Sequence, residues 1–397
     1  YDDYQKGGCF SGSAIEHESK LYVFYTATAN HGNGSEQSQC LAISEDGINF
    51  EKYDGNPLFD APEGIQPDSF RDPKVWKHEN KYYMVVGASR NNRGLALIYE
   101  SEDLYHWNFL NVLAESRGEW GFMWECPDFY QLGDKYVLTF SPMGSGDHTS
   151  VYLTGDFDYK TGKFDWHISG EMDWGFDFYA PQSMVAPDGR RLIVAWANEW
   201  EWMPLFKDWG PTYQEGWCGF FNVIREVRMC KDGTLAFVPV EEMEKIREDK
   251  FTQREIQVTE TPQQLKAGDG ISFEMKFTLD LEETNADRVE LKLRCGKEKE
   301  TRCIFDLKNG ELLVDRSCAD GWSVGTSRSV LKVSEKSLDV HIFSDQSSLE
   351  IFTDQYRNNH SNNIFAGNDQ DAISISAFGG RAVIRNYEAY GLQECFN

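Results

Sequence analysis

One short sequence pattern recurs four times in this chain at nearly even intervals. It reads FSGSA at residues 10–14, FRDPKVW at 70–76, WECPDFY at 124–130 and YAPQSMV at 179–185. The first residues of successive copies lie 60, 54 and 55 positions apart. A repeat of this length predicts an architecture of similar units, each too short to bury a core by itself. We therefore expect the functional site where the four copies converge.

Strand-like runs rich in aromatic and β-branched residues follow the four copies, at residues 20–28, 81–89, 135–142 and 190–198. In the first three units a further run of this kind comes next, at residues 39–50, 94–107 and 151–166. Units of about four antiparallel strands at this period are typical of β-propeller blades, whose first strands line a shared central channel. A flat sandwich is the alternative, but it leaves the recurrence of one motif at the start of each unit unexplained.

The expected fold is all-β, with a β-propeller of four evident blades followed by a C-terminal β-sandwich. We place the propeller at residues 1–240, a charged and helix-compatible linker at 241–250, and the sandwich at 251–397. About seven short alternating strands predict the sandwich. Between two of them, Asn309 and Gly310 predict a two-residue hairpin. One further blade is expected to be missing, or to be supplied in part by the extreme N-terminus.

The composition disfavours some classes of partner. The chain has 397 residues, 40% of them hydrophobic, and a formal net charge of −26. Nucleic acids and anionic membranes are polyanions that recruit Lys and Arg, so we expect neither as a partner. A neutral ligand such as a sugar fits this charge better, and acidic charge that only keeps the protein in solution is an equally good explanation.

Cysteine and histidine usage bears on compartment and cofactors. The nine cysteines are scattered without a C-x-x-C pair, which favours free thiols in a reducing compartment and hence a cytoplasmic location. No apolar run approaches the roughly 20 residues that span a bilayer. The eight histidines show no metal-ligand spacing, and neither a G-x-G-x-x-G nor a Walker loop occurs. We therefore expect no metal and no cofactor.

Glu125 is the first candidate for a catalytic group. It lies between Trp124 and Cys126, and apolar surroundings disfavour the charged form of a carboxyl group, which raises its pKa toward values suited to a general acid. A structural Glu at a strand end is the alternative. Asp128, three residues on, is expected to point to the opposite face of the strand and to be structural.

Asp72 is the second candidate. Pro73 follows it, which predicts an extended rather than helical backbone at Asp72. Arg71 precedes it and is expected to hold the carboxylate ionised, as an acceptor for a pair of sugar hydroxyls. A salt bridge that closes a turn is the alternative. Around both acids we expect a sugar pocket, since aromatic faces and small polar groups recur near the repeat starts, at Phe10, Ser11, Tyr179, Gln182, Trp196 and Trp200.

At these residues the sequence resembles glycoside hydrolase family 32, the β-fructofuranosidases that include invertases, sucrose-6-phosphate hydrolases, inulinases and levanases. The matching motifs are Phe-Ser-Gly-Ser from residue 10, Arg-Asp-Pro from 71, Trp-Glu-Cys-Pro-Asp from 124 and Tyr-Ala-Pro-Gln from 179. Their order and spacing are highly specific. The resemblance spans nearly the whole chain, including the segment SSLEIFTD at 347–354.

The resemblance implies a five-bladed propeller, a β-sandwich and hydrolysis of terminal fructosyl bonds with retention. Glu125 then corresponds to the acid/base, and Asp72 to the transition-state stabiliser that binds fructose hydroxyls with the help of Arg71. The remaining fructose-binding residues that it implies are Phe10, Ser11, Cys126, Tyr179 and Trp196 or Trp200. A retaining enzyme uses two carboxyl groups about 5–5.5 Å apart, one as nucleophile and one as acid/base.

The chain departs from the family at the nucleophile. In the family this group is an Asp in a Trp-Met-Asn-Asp-Pro-Asn-Gly segment of the first blade, and no such segment occurs in these 397 residues. Asp2 and Asp3 lack the surrounding motif. The chain as given is therefore expected to lack the first blade and the nucleophile. The strand edges of such an open propeller would favour homo-oligomers.

Three functions are consistent with these residues. The leading one is a retaining glycoside hydrolase that cleaves terminal β-D-fructofuranosides such as sucrose, fructo-oligosaccharides or fructans. A non-catalytic fructoside-binding protein is the alternative from another class. A glycosidase of other furanosides is disfavoured by the Phe-Ser-Gly-Ser element. No cluster of Lys and Arg accompanies the motifs, which favours neutral substrates over sucrose 6-phosphate.

Overall fold

The computed structural model describes residues 7–30, 35–146, 148–199 and 211–394. Strands dominate the described chain, and the short helical turns are 3-10 helices at Pro211–Glu215, Glu241–Ile246 and Asp354–Tyr356. No helix within these ranges is long and apolar enough to cross a membrane. The cysteines of this part of the chain form no disulfide.

Two compact units make up the chain. The first comprises Tyr1–Glu171, Ala180–Ser183 and Lys231–Thr234, and the second comprises Met172–Tyr179, Met184–Cys230 and Leu235–Asn397. The boundaries predicted at residues 240 and 250 both lie inside the second unit.

Sheets of antiparallel strands in sequence order form the propeller blades. The first is β1 (Gly8–His17), β2 (Lys20–Asn30), β3 (Ser35–Ser44) and β4 (Glu51–Lys52), with β5 (Phe59–Asp60) also paired to β3. The second is β6 (Phe70–His78), β7 (Lys81–Arg90), β8 (Arg93–Ser101) and β9 (Asn108–Glu115). The third is β10 (Met123–Leu132), β11 (Lys135–Met143), β12 (Val151–Asp158) and β13 (Lys163–Glu171). The fourth is β14 (Tyr179–Val185), β15 (Arg191–Trp196), β16 (Arg225–Met229) and β17 (Leu235–Pro239).

Strand β7 shows why the predicted apolar runs become blade strands. Eight of its ten residues are buried, because both faces of the second sheet are covered. Met84 and Val86 pack into a core shared with the first sheet, whereas Tyr83 and Val85 pack into a core shared with the third. This two-residue alternation is the geometry of a strand, so one run of sequence supplies two hydrophobic cores.

The C-terminal sandwich consists of two six-stranded sheets. One has the order β18 (Arg247–Val258), β29 (Ala382–Leu392), β20 (Phe273–Asp280), β25 (Ser337–Ser344), β26 (Ser348–Thr353) and β27 (Asn358–Asn363). The other has the order β19 (Gln263–Gln264), β28 (Ala372–Phe378), β21 (Arg288–Gly296), β22 (Lys299–Asp306), β23 (Glu311–Cys318) and β24 (Thr326–Val330). Their facing residues form one large apolar core. The prediction of an all-β chain of propeller blades followed by a sandwich is confirmed.

Two local predictions differ in detail from the structure. The charged stretch at 241–250 is a 3-10 helix only through Ile246, and from Arg247 it is already strand β18. The loop at Asn309 and Gly310 has four residues instead of two, since Asp306 pairs directly with Glu311. The carboxylate of Asp306 accepts a hydrogen bond from the Asn309 backbone N–H at 2.9 Å, which favours this wider turn.

The edge strand β27 is entirely polar in sequence, reading NNHSNN, yet all six residues are buried. Its neighbour beyond the sheet is the segment of residues 172–177, which lies in the same unit. The Trp174 and Asp177 backbone N–H groups donate to the carbonyls of Asn359 and Ser361 at 2.7 and 3.0 Å. In return, the Ser361 backbone N–H donates to the Asp173 carboxylate at 2.7 Å. The Asn363 backbone N–H likewise donates to the Asp177 carboxylate at 2.7 Å. Buried backbone groups require such partners, and side-chain carboxylates provide two of these four.

A buried arginine cluster, formed by Arg225, Asp173, Glu350 and Ser361, reinforces this contact. The Arg225 guanidinium donates to Asp173 at 2.8 Å, to Glu350 at 2.7 Å and to the Ser361 hydroxyl at 2.6 Å. Both carboxylates are almost fully buried. Removal of one charged member would leave a buried charge without its partner. The protein would then be strongly destabilised, because an unpaired buried charge is very costly.

Candidate active site

Three successive motif strands lie side by side in the first unit. Strand β6 contacts β1 on one side and β10 on the other. The pairing register shifts near the start of each motif, between Phe10 and Gly12, between Arg71 and Lys74, and between Glu125 and Asp128. Asp72 and Cys126 lie in these bulges with left-handed backbones, at φ 64° and 48°. Bulges re-aim side chains that a regular strand would direct elsewhere, and here they bring the motif side chains together.

Arg71 and Glu125 form the central ion pair of this group. The Arg71 Nε and one terminal nitrogen donate to the same oxygen, Glu125 Oε1, at 2.9 and 2.8 Å. The other terminal nitrogen donates to Gln37 Oε1 at 3.2 Å, and the guanidinium carbon lies 6.0 Å from the centre of the Phe10 ring. Both partners of the ion pair are largely buried. Arg71 is thus fixed from several sides and holds the Glu125 carboxylate in one orientation.

Arg71 was expected to favour the ionised form of Asp72, and its charge does lower the pKa of that carboxyl group. The carboxylate to which its guanidinium donates hydrogen bonds is that of Glu125, on the neighbouring blade, although Asp72 is adjacent in sequence. The apolar flank that Trp124 was expected to provide for Glu125 is also absent. The Trp124 ring is stacked on Phe140 in the core, with centroids 3.8 Å apart, because successive strand residues point to opposite faces.

Asp72 is held by the neighbouring blade. Its carboxylate oxygen Oδ2 accepts a hydrogen bond from the Cys126 backbone N–H at 2.8 Å and lies 3.5 Å from the Cys126 sulfur. Its own backbone N–H donates to Thr26 Oγ1 at 3.0 Å. The predicted extended backbone is wrong, since φ is 64°. Pro73 excludes the right-handed helical region at the preceding residue, and the bulge uses the left-handed one instead.

In the electrostatic environment of Asp72, burial outweighs the effect of the Arg71 charge. Burial, followed by the nearby charge of Glu125, raises the pKa of Asp72 from 3.8 to about 6. The Cys126 backbone N–H and the Arg71 charge act in the opposite direction but are weaker. Asp72 is therefore ionised at neutral pH and becomes protonated in mildly acidic solution. The same surroundings raise the pKa of the buried Cys126 thiol well above its ordinary value.

Gln182 and Asp128 make a second set of contacts around Cys126. The Gln182 amide donates to the Cys126 carbonyl at 3.0 Å, and Gln182 Oε1 accepts from Lys74 Nζ at 3.0 Å. Asp128 accepts from the Ser183 backbone N–H and hydroxyl at 2.7 and 2.6 Å. Asp128 therefore joins two segments of the first unit, in line with the structural role expected for it.

Other predicted pocket residues occupy different places. Phe10 and Ser11 are exposed on β1, with Phe10 beside Arg71. Tyr179 is buried and Trp196 half-buried, and both belong to the second unit. Trp200, Asp2 and Asp3 lie outside the described residues. Within the described ranges, no group of three or more His, Cys, Asp or Glu side chains is arranged to hold a metal ion.

Sequence reasoning missed three supporting residues: Thr26, Gln37 and Lys74. Thr26 and Gln37 lie on β2 and β3, outside the motifs, and no local signal marks them. Lys74 is inside the FRDPKVW motif, where its position two residues after Asp72 could have suggested a shared environment. Thr26 bonds directly to Asp72 and Gln37 directly to Arg71, whereas Lys74 bonds to Gln182, which in turn bonds to Cys126.

The arrangement can support acid–base chemistry on a hydroxylated ligand. Two carboxyl groups from adjacent blades influence each other electrostatically, yet one is paired with a guanidinium and the other with a backbone N–H. Different surroundings for two neighbouring carboxyl groups are a common way to give them different roles. The buried Arg71 provides a fixed positive charge that orients one of them.

Comparisons with known proteins cover nearly the whole chain. The family model described as Glycosyl hydrolases family 32 N-terminal domain matches residues 1–239, and Glycosyl hydrolases family 32 C terminal matches residues 242–391. Sucrose-6-phosphate hydrolase of Zymomonas mobilis is 33% identical over 99% of this chain and 80% of its own length. Raffinose invertase of Escherichia coli is 34% identical over 96% of this chain and 80% of its own length.

A solved structure extends the comparison to three dimensions. The GH32 beta-fructofuranosidase of Bombyx mori matches with a TM-score of 0.79 and 31% identity, over 97% of this chain and 79% of that one. A mutant of the same enzyme has been solved in complex with sucrose.

Proposed function

Because the chain belongs to the glycosyl hydrolases of family 32, and is therefore a glycoside hydrolase, we propose that it removes terminal β-D-fructofuranosyl units with retention of configuration. The proposed substrates are sucrose and fructo-oligosaccharides. The observation that supports it most strongly is the pairing of Glu125 with Arg71 beside Asp72, on two neighbouring blade strands. The names of its relatives, a sucrose-6-phosphate hydrolase and an invertase, point to the same class of bond.

Glu125 is proposed as the acid/base. In a retaining enzyme this group protonates the leaving oxygen and then activates water. Arg71 contributes by orientation, because the two nitrogens that donate to Glu125 both donate to Oε1. The carboxyl group keeps one direction during both proton transfers.

Asp72 is proposed as the group that binds fructose hydroxyls. An ionised carboxylate only accepts hydrogen bonds, and it can accept from two hydroxyls at once. Its oxygen Oδ2 already accepts from the Cys126 backbone N–H, which fixes the direction of the side chain before a ligand arrives. Its raised pKa of about 6 leaves it ionised at neutral pH.

The proposal is tested by Glu125→Gln in the protein that carries this chain. We expect the turnover of sucrose to fall by about 10²–10⁴-fold, the typical contribution of a positioned acid/base, with an unchanged melting temperature. The matched control is Glu115→Gln, since Glu115 is also paired with an arginine, Arg90, but lies on β9 away from the motifs. Near-normal turnover by the Glu125 variant would overturn the proposal.

A neutral aglycone is the proposed preference. The two cations of the FRDPKVW motif are already engaged: Arg71 by Glu125, and Lys74 by Gln182 and the Ser183 carbonyl. Neither is thereby positioned to bind a phosphate. Rates on sucrose, sucrose 6-phosphate, inulin and levan measure this preference directly, and a large excess of kcat/KM for sucrose 6-phosphate would contradict it.

The expectation that these 397 residues lack the nucleophilic Asp of the family stays a prediction. Sucrose hydrolysis by a protein of these residues alone, at a rate that depends on Glu125, would contradict it. Trapping of a covalent fructosyl adduct, followed by peptide mapping, would identify the residue that attacks.

A further inference from the structure

A cavity of about 280 Å³ opens on the sandwich, in the second unit, and no residue of the four motif copies lines it. It lies on the outer face of the sheet that contains β20 and β25, because Phe277 and Val340 of these strands point into the core and their neighbours point outward. The outward side chains at its wall include Lys276, Asp339 and His341. A volume near the lower end of small-molecule pockets suits a ligand of one or two rings.

The turn at one side of the cavity is strained. Asp354, Gln355 and Tyr356 follow one another with left-handed φ values of 48°, 54° and 67°. Each such non-glycine residue costs roughly 1–2 kcal/mol and normally occurs singly. The turn is fixed through Asp354, which accepts from Arg357 at 2.8 Å and pairs with Lys332 at 2.7 Å. Strain held in place this firmly is characteristic of binding sites, and here it directs Gln355 and Tyr356 to the cavity.

A buried hydrogen-bond chain prepares the floor of the cavity. Glu274 is paired with Arg247 at 2.6 Å and lies 2.7 Å from His341 Nε2. Because a carboxylate can only accept, His341 carries its proton on Nε2, and its other nitrogen accepts from the Tyr356 hydroxyl at 3.4 Å. Burial lowers the pKa of His341, so the ring is neutral. The tautomer of His341 and the position of the Tyr356 hydroxyl are thus set before any ligand binds.

The charges at the wall are balanced. The charged side chains that line the cavity are one ammonium, Lys276, and one carboxylate, Asp339. Asp339 accepts a hydrogen bond from Thr278 at 2.7 Å. The cavity therefore offers acceptors, donors and the aromatic rings of Phe352 and Tyr356, whose centres are 6.2 Å apart, without a surplus of either charge. Anions would meet Asp339, and cations would meet Lys276.

From this combination we propose that the cavity is a second, non-catalytic binding site for one ring of a neutral saccharide. Hydroxyl groups both donate and accept, so they match a wall that mixes carboxylate, ammonium, amide and phenol groups, and the C–H face of a sugar matches an aromatic ring. The site shares no residue with the catalytic pocket, and it does not rest on the proposed fructosidase activity.

Sucrose titration of protein labelled with ¹⁵N in Asn and Gln tests the proposal. The side-chain amides of Gln355 and Asn386 line the cavity and report on it separately from the catalytic pocket. We expect their resonances to shift and saturate in the millimolar range. Tyr356→Phe should weaken this binding by about two- to tenfold, the effect of one lost hydrogen bond. Tyr390→Phe is the matched control, because that hydroxyl bonds to Glu388 outside the cavity, and it should leave the affinity unchanged.

Two results would overturn the inference. One is the absence of saturable shifts at Gln355 and Asn386 with sucrose, fructose and glucose alike, in protein whose other amide resonances show it to be folded. The other is preferential binding of a charged analogue, glucose 6-phosphate or glucosamine, over glucose. Saccharide binding that survives Glu125→Gln but responds to Tyr356→Phe would support the site even if the proposed activity failed.

Discussion

Titration of Asp72 is the sharpest test of how the candidate site is built. Burial and the charge of Glu125 raise its pKa from 3.8 to about 6. Between these two values the folded protein binds a proton that the unfolded chain does not. The stabilising contribution of this group is therefore fully present below pH 3.8 and is lost as the pH rises through 6.

The size of the effect follows from the shift. A shift of about 2 pKa units corresponds to about 3 kcal/mol of unfolding free energy, at roughly 1.4 kcal/mol per unit. About 2 kcal/mol of this falls between pH 4.5 and 7.5. Asp72→Asn removes the titration but keeps an acceptor for the Cys126 backbone N–H. The stability of wild type minus that of the variant should therefore fall by about 2 kcal/mol over that interval. Other carboxyl groups that titrate here, such as Asp177 with a pKa of about 6, are present in both proteins and cancel.

Two measurements check this expectation. NMR of protein labelled with ¹³C at Asp carboxyl groups gives the pKa directly, and the resonance missing from Asp72→Asn assigns it. Denaturant titrations at pH 4.5 and 7.5 give the stability difference. In Glu125→Gln the pKa of Asp72 should decrease, because the charge of Glu125 helps to raise it. A midpoint near 3.8 in the wild type, or an increase in Glu125→Gln, would refute the reasoning.

Three further expectations concern one residue that positions the candidate site and two residues that stabilise the fold. Gln182→Ala removes the amide that donates to the Cys126 carbonyl, so kcat should fall while the melting temperature changes little; equal losses in both would contradict a positioning role. Gly87→Ala should lower the free energy of unfolding by several kcal/mol, since an added methyl would lie 2.0 Å from the Trp124 carbonyl oxygen, and an unchanged denaturation midpoint would argue against this contact. Ser361→Ala should cost about 1–3 kcal/mol through unsatisfied groups in the buried arginine cluster, measurable by calorimetry and absent in Ser347→Ala.

Much of the fold could be predicted because local and long-range requirements agree. The run at 81–89 is rich in aromatic and β-branched residues, and it becomes β7, where each face meets a different core. Strand preference and burial favour the same structure there, so β7 could be predicted without knowledge of the neighbouring sheets. The motif spacing likewise identified the blades, because each unit repeats the same order of strands.

The bulges could not be predicted in the same way. Pro73 restricts the backbone of Asp72 but leaves two regions open. The choice between them depends on Thr26 and Cys126, which are 46 and 54 residues away and bond to Asp72. The same gap in local information explains why the hydrogen bonds from Arg71 to Glu125 were not predicted.

The bulges also correct the alignment of the fourth copy. Ala180, with φ 51°, occupies the place of Asp72 and Cys126, and its backbone N–H donates to Ser141 at 2.9 Å. Phe178, rather than Tyr179, is therefore the counterpart of Trp124. The interval from Trp124 is then 54 residues, the same as that from Phe70 to Trp124, a regularity that the sequence alone already contained.

Strand β27 was missed for a different reason. Asn is depleted in strands, and six consecutive polar residues read as an exposed loop. Burial of NNHSNN requires partners for nearly every side chain, and these come from distant parts of the chain: His360 bonds with the hydroxyls of Ser327 and Ser329 at 2.9 and 2.7 Å. No local pattern indicates such partners.

A C-terminal sandwich expressed alone would be prone to aggregate through the outer edge of β27. A fragment starting at residue 251 would keep this edge but lose the segment of residues 172–177, including the carboxylates that accept from the Ser361 and Asn363 backbone N–H groups. Its row of unpaired N–H and C=O groups would then be a template for another copy of the fragment. Residues 172–177 therefore cover this edge and prevent edge-to-edge aggregation. A soluble sandwich fragment needs them attached.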